Sequence, residues 1–252
     1  MDLGLKGRKA LVTGGTRGIG RAIVDMLAGE GCDVALCARD EAQVKEAVEA
    51  TKAAGVNATG AAVDVADDKA VTAWIDAAAK ELGGLDICIA NVSALAPGLT
   101  RDDWEAAYRI DMMATVSTME AVLPHVSKSD AGALVAISSI SGLEAPTPRP
   151  YGAMKAALIH YMSGLSRQLA PQGIRANSVS PGTIYFEGGV WNKRELEQPE
   201  IYKGALKANP MGRMGKPEEV AYAAVMLASP KASFITGTNL VVDGAFTVGV
   251  QF

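Results

Sequence analysis

The amino-acid sequence predicts an α/β fold, a single doubly wound parallel sheet with helices on both faces. Three observations lead there. Short apolar runs rich in Val, Ile and Ala alternate with longer segments of helical period along all 252 residues. The runs are continuously apolar, which fits strands buried on both faces. No Pro/Gly/Ser-rich linker and no repeat divides the chain, so residues 1–252 read as one domain.

The elements follow in order. Lys9–Val12 is a strand ending in Thr-Gly-Gly, after which Ile23, Leu27 and Ala28 recur at helical spacing until Gly29 and Gly31. Asp33–Ala38 is a second strand. Glu41–Ala54 is a helix with Val44 and Val48 on one face and Gly55 just past its end. Ala58–Val63 is a third strand, Lys69–Leu82 a helix closed by Gly83-Gly84, and Asp86–Asn91 a fourth strand. A long helix runs from Trp104 to about Val126, followed by a strand at Gly132–Ser138 and a second long helix at Tyr151–Ala170. Arg175–Val179 and Asn239–Val242 are the last strands, separated by a less regular stretch and the helix Glu218–Leu227.

Composition excludes several classes. The 24 Lys and Arg against 28 Asp and Glu give a net charge of −4, which gives no reason to expect binding to nucleic acid or an anionic membrane. The longest uncharged stretch, Ile87 to Thr100, contains Asn91, Ser93 and Pro97 and falls short of the roughly 20 apolar residues of a spanning helix. The N-terminus lacks the layout of a secretory signal. Cys32, Cys37 and Cys88 sit in strand-like stretches without CxxC spacing, so buried reduced thiols and a cytoplasmic location are expected. With only His125 and His160, no His-rich metal site is expected.

The first strand runs into Thr13-Gly14-Gly15-Thr16-Arg17-Gly18-Ile19-Gly20, which opens the first helix. Glycines there permit a sharp turn, and a helix N-terminus offers free N–H groups to a pyrophosphate. The turn, Tyr151-Gly-Ala-Met-Lys155, Ile137-Ser138-Ser139, Asn177-Ser178-Val179-Ser180-Pro181-Gly182, Gly212–Val220 and Ile235–Gly244 together resemble the short-chain dehydrogenase/reductase family in its single-domain form. Within that family the chain resembles 3-oxoacyl-carrier-protein reductases and broad-range ketoreductases. The resemblance covers the whole chain. It implies a Rossmann fold with strand order 3-2-1-4-5-6-7, a nicotinamide coenzyme at the C-terminal edge of the strands, and a homo-oligomer, expected to be a tetramer. Among coenzyme contacts it implies Gly14, Thr16, Gly18, Ile19 and Gly20 in the turn, with Asp64 and Val65 at the adenine. It also implies Asn91 along the channel, and Pro181, Gly182 and Ile184 after the sixth strand.

The choice of nicotinamide can be read from charge. A carboxylate at the end of the second strand would bind the ribose hydroxyls of NAD and repel a 2′-phosphate. That position is Ala38, and Arg39 follows it; Arg17 supplies a second guanidinium from the turn. Two forked donors suit a phosphate, so NADP(H) is expected.

Tyr151 and Lys155 are four residues apart, so on a helix they share a face. The resemblance makes Tyr151 the acid/base, with Lys155 tuning it and binding the nicotinamide ribose. A nearby ammonium and the positive nicotinamide ring both favour the phenolate. A serine would hydrogen-bond the substrate oxygen. The resemblance offers two candidates: the family's usual spacing of thirteen residues before the tyrosine selects Ser138, whereas its local pattern Ser-x-x-Gly, here Ser139-Ile-Ser-Gly142, selects Ser139. A connection one residue short, Ala145–Pro150, favours Ser139, because deletions are tolerated in loops.

Three positions depart from the family pattern. Its Asn-Asn-Ala-Gly after the fourth strand is Ala90-Asn-Val-Ser93, and its threonine after Pro181-Gly182 is replaced by Phe186. Its fourth catalytic residue, an asparagine whose main-chain carbonyl holds a water in the proton relay, is Asp111. A carboxylate there would favour the ammonium of Lys155. Buried alone it would be costly, so Asp111 is expected to be paired or hydrated.

Residues 184–209 stand where the family carries a substrate lid, and Gly188-Gly189 could hinge it. Tyr185, Phe186, Trp191 and Tyr202 within it suit either a ring-bearing substrate or anchors for the lid itself. The expected function is interconversion of a ketone or 3-oxo group and a secondary alcohol. Alternatives are an NAD-dependent alcohol dehydrogenase, a non-catalytic NADP-binding regulator on the same fold, and a sugar-nucleotide epimerase, which usually needs a larger C-terminal region.

Overall fold

The computed structural model describes residues 2–96 and 98–249. Seven parallel strands form one sheet in the order 3-2-1-4-5-6-7. They are β1 (Lys9–Thr13), β2 (Asp33–Ala38), β3 (Ala58–Ala62), β4 (Ile87–Ala90), β5 (Ala133–Ile137), β6 (Arg175–Pro181) and β7 (Asn239–Val242). The helices are α1 (Gly18–Gly29), α2 (Glu41–Lys52), α3 (Asp68–Leu82), α4 (Arg101–Ala106), α5 (Ala114–Val126), α6 (Pro150–Leu169), α7 (Val190–Glu197), α8 (Pro199–Ala208) and α9 (Pro217–Ala228).

Successive strand residues point to opposite faces, and each face has its own core. Val12, Leu36 and Ile89 pack with Ile23 and Leu27 of α1, Val48 of α2 and Val220 of α9. Leu11, Ala35 and Cys88 pack with Ile75 of α3, Met119 of α5 and Leu158 of α6. That two-sided burial is why the strands read as unbroken apolar runs. All three cysteines are free and buried; burial pushes the thiol of Cys37 up to about 12, and those of Cys32 and Cys88 up as well. Among the described residues no helix is long and apolar enough to cross a membrane.

The structure departs from the sequence expectations in three places. The helix expected from Trp104 begins at Arg101, where Thr100 and Asp103 form a capping box, and its middle widens into a π-helical stretch, Ala107–Met113. The sixth strand continues to Pro181 because Ser178 and Ser180 share the Asn239 side chain and keep pairing with β7. The stretch between β6 and β7 that looked irregular holds two further helices, α7 and α8. The uncharged C-terminal tail, Phe246–Phe252, lies partly outside the described residues, which end at Gly249.

Candidate active site

The glycine turn joins β1 to α1 at the C-terminal edge of the sheet. Gly14 and Gly18 adopt positive φ of 67° and 54°, which side chains other than glycine rarely take. Arg17 is the N-cap of α1 but makes no side-chain cap, so the first N–H groups of the helix have no side-chain partner there. A Cβ on Gly20 would lie 2.0 Å from Gly14 O and 2.4 Å from Asn91 Nδ2. That approach is used: Asn91 Nδ2 donates to Gly14 O at 3.2 Å, and Asn91 N donates to Thr13 Oγ1 at 3.0 Å. Asn91 therefore braces the turn. The result is a bare-backbone cradle suited to a pyrophosphate.

At the end of β2, Ala38 leaves no carboxylate. Arg17 and Arg39 are exposed and form no ion pair among the described residues. The neighbouring Asp40 is engaged as the N-cap of α2, accepting from Gln43 N at 3.0 Å. Beyond β3, Val65 is buried, and Asp64 accepts from Ala66 N at 3.0 Å and borders a groove with Ala106 and Arg109.

The candidate catalytic residues come from β5 and the turn after it, α6 and the π-helical stretch. Gly142 and Gly152 let the turn after β5 lie directly on α6: a Cβ on Gly142 would be 2.7 Å from Ala156 N, and one on Gly152 2.6 Å from Ser141 O. This close approach gives a physical reason for the Ser-x-x-Gly pattern, and it separates the two serines. Ser138 donates its hydroxyl to Lys155 O at 2.9 Å. Ser139 lies near enough to Tyr151 to draw the tyrosine pKa down, and its Oγ accepts from Ser141 N at 3.1 Å.

Tyr151 is half-buried, yet the surrounding protein pushes its phenol up to about 12, more than Ser139 offsets, and the Asp111 carboxylate adds to the rise. The Lys155 ammonium sits 5.7 Å from the ring centroid.

Lys155 is itself buried; burial lowers its pKa and Asp111 raises it. Its Nζ donates to Ile137 O at 3.1 Å and lies 3.4 Å from Asp111 Oδ1. The π-helical stretch carries Asp111 inward to full burial, where Oδ2 accepts from Ala94 N at 3.3 Å. Asp111 is thus paired, as its cost of burial requires.

After β6, Gly182 N donates to Val242 O at 2.9 Å, and Ile184 is buried and bridges to Gly215. Phe186, at the expected threonine position, lays its ring on the turn: a Cβ on Gly18 would be 2.5 Å from Phe186 Cζ. Tyr185 donates to Glu195 on α7 and accepts from Asn192 Nδ2 at 3.0 Å, with Tyr202 of α8 edge-on at 6.1 Å. Arg194 stacks over Trp191 at 4.7 Å. These four aromatics anchor their own segment. Glu195 and the Phe186 contact were missed in the sequence, where the only signal was the cluster of rings.

Comparison with known proteins agrees with this architecture. The family model described as Enoyl-(Acyl carrier protein) reductase matches residues 14–247. Isoepoxydon dehydrogenase patN of Penicillium expansum is 39% identical over 257 residues, covering 100% of this chain and 99% of that one. The 3-oxoacyl-[acyl-carrier-protein] reductase FabG of Chlamydia pneumoniae is 30% identical, covering 98% and 100%. A short chain dehydrogenase from Burkholderia cenocepacia, solved in complex with NADP, superposes with a TM-score of 0.86 at 31% identity over 96% of this chain and 99% of that one. The fold and these matches define an oxidoreductase class. The chain belongs to the short-chain dehydrogenase/reductase family.

Proposed function

We propose that the protein is an NADP(H)-dependent oxidoreductase that interconverts a ketone or 3-oxo group and a secondary alcohol. The observation that carries this reading is the convergence of Ser139, Tyr151, Lys155 and Asp111 at the sheet edge beside the glycine cradle. The bound coenzyme supplies or accepts the hydride. Tyr151, a neutral phenol in the free protein, hands its proton to the carbonyl oxygen as the alkoxide forms and recovers it in the reverse direction. Ser139 hydrogen-bonds the same oxygen. Lys155 holds positive charge beneath the tyrosine and binds the nicotinamide ribose, and Asp111 keeps that charge in place. Residues 184–209 form the lid, tied internally through Tyr185 and Glu195. The names of the relatives, a dehydrogenase and a 3-oxoacyl reductase, support this reaction class.

The unpaired Arg17 and Arg39 and the missing carboxylate at Ala38 support NADP(H). A charged hydrogen bond contributes roughly 1.5–3 kcal/mol. NADPH is therefore expected to exceed NADH at least about tenfold in kcat/KM over a panel of ketones, and Arg39→Ala to erode the preference through the NADPH value. Equal use of both coenzymes would refute the assignment of the β2 end. Tight NADPH binding without turnover across the panel would point instead to a regulator on this fold.

The two serines give a separate test. Ser139→Ala is expected to lower kcat at least about tenfold. Ser138→Ala is expected to cost about 1 kcal/mol of stability, because its hydroxyl serves the Lys155 carbonyl, with less effect on kcat. The reverse ranking in kcat would overturn the assignment.

A further inference from the structure

Large apolar side chains standing singly in water are ordinary. Leu95 is not, because of the backbone that carries it. Among the described residues, Leu95 and Ala245 are the non-glycine residues with positive φ, and Leu95, at 50°, is 49% exposed. Leucine in the left-handed region is strained; glycine and asparagine fit it at less cost. Neither the strain nor the exposure serves folding. Residues held in such conformations gather at functional sites, where their neighbours over-determine them.

Leu95 is held in that way. Its N–H donates to Ser93 Oγ at 3.0 Å, and Ala94 N donates to Asp111 Oδ2 at 3.3 Å. Asp111 in turn lies 3.4 Å from Lys155, so the strained leucine is one residue removed from the candidate catalytic cluster. Leu143 stands on the neighbouring loop. It closes the turn that Ser139 opens, donating its N–H to Ile140 O at 2.9 Å, and is 44% exposed. Gly142 beside it lies directly against α6, which leaves this turn little freedom. The strands β4 and β5 are parallel neighbours, Ala90 opposite Ala136, so the two loops leave the same sheet edge side by side.

These loops are almost without charge. Residues 87–100 and 138–148 contain one formally charged side chain between them, Glu144, and its Oε1 accepts from Val248 N at 2.9 Å. A hydrocarbon group can lie there without stripping water from an unpaired charge. We infer that Leu95 and Leu143 determine specificity by gripping an uncharged hydrocarbon group, chain or ring, attached to the carbonyl carbon of the substrate. The inference rests on the carbonyl–alcohol reading proposed above and adds the substrate class to it.

The test is steady-state reduction of two ketone pairs at saturating NADPH: butan-2-one against octan-2-one, and cyclohexanone against 4-tert-butylcyclohexanone. Wild-type kcat/KM is expected to favour the larger member of at least one pair by about tenfold or more, and the pair that shows it tells chain from ring. Leu95→Asn substitutes a polar side chain of similar size that accepts left-handed backbone. It is expected to lower kcat/KM for the larger ketone at least about fivefold, mainly through KM, and to leave the smaller within about twofold. Its Tm is expected to be no lower than wild type, since the backbone strain falls. Leu95→Met, apolar and of similar volume, is expected to stay within about twofold of wild type, and Leu143→Ala to repeat the loss. A wild type indifferent to size in both pairs overturns the inference while the carbonyl reading stands. So does a Leu95→Asn variant that slows both members of a pair alike. If Leu95→Asn keeps the size preference and turns an oligomer into a monomer in sedimentation, the leucine covers a second copy and the inference falls. Wild-type protein that turns over none of the four ketones, nor their alcohols, with either coenzyme overturns the carbonyl reading itself, and the inference with it.

Discussion

Tyr151→Phe is expected to lose turnover by at least about a hundredfold, in the range typical of a positioned acid/base group, while still folding and binding NADPH. The contrast follows from what the ring and the hydroxyl each do. The ring keeps its packing and its face toward the Lys155 ammonium, 5.7 Å from the centroid, and phenylalanine preserves both. In the proposed mechanism the hydroxyl beside Ser139, its pKa pushed by burial up to about 12, supplies the proton that a developing alkoxide needs. Single-turnover hydride transfer followed by coenzyme fluorescence, alongside a thermal melt, separates the two. A variant retaining a third of wild-type activity would remove Tyr151 from the mechanism.

Lys155→Met is expected to cost about 3–5 kcal/mol of stability, because it leaves the Asp111 carboxylate buried without its countercharge. Among the described residues, only the Ala94 N–H at 3.3 Å would still serve it. Adding Asp111→Asn to Lys155→Met is expected to restore much of the loss, so the two changes are strongly non-additive in urea unfolding. Additive effects, or a Lys155→Met cost below about 1 kcal/mol, would show that the pair contributes little.

Asp111→Asn alone is expected to keep kcat within about tenfold of wild type. The carboxylate holds the pKa of Lys155 up against burial and pushes that of Tyr151 up. Removing its charge lowers both, so the alkaline limb of the pH–rate profile should move to lower pH. A hundredfold loss would instead place the carboxylate in the proton transfer itself.

Most of the architecture was legible in the sequence because two-sided burial writes itself as unbroken apolar runs, as in Asp33–Ala38 and Ala133–Ile137. Strand order was not in that signal. It came from the resemblance, since pairing β1 with β4 across the first two units leaves no local trace. The π-helical stretch at Ala107–Met113 was hidden because its residues still recur at near-helical spacing. The helices α7 and α8 escaped because they are short, 8 and 10 residues, and bury no side chain fully. The serine ambiguity was real in the sequence. What the structure adds is tertiary: Ser138 donates to the Lys155 carbonyl, and Gly142 lies directly against α6. The left-handed backbone at Leu95 had no sequence signal at all.

The brace between β1 and β4 also bears on the order in which the chain can become competent. Asn91 N meets Thr13 Oγ1 across 78 residues, and Asn91 Nδ2 meets Gly14 O across 77. The glycine-rich segment therefore emerges early in synthesis, but its walls arrive only when β4 docks beside β1, after a long loop has closed. A nascent chain halted before β4 carries the fingerprint without the shape. A ligand at that turn cannot nucleate the first half of the sheet; it stabilises only molecules in which the two halves have already met.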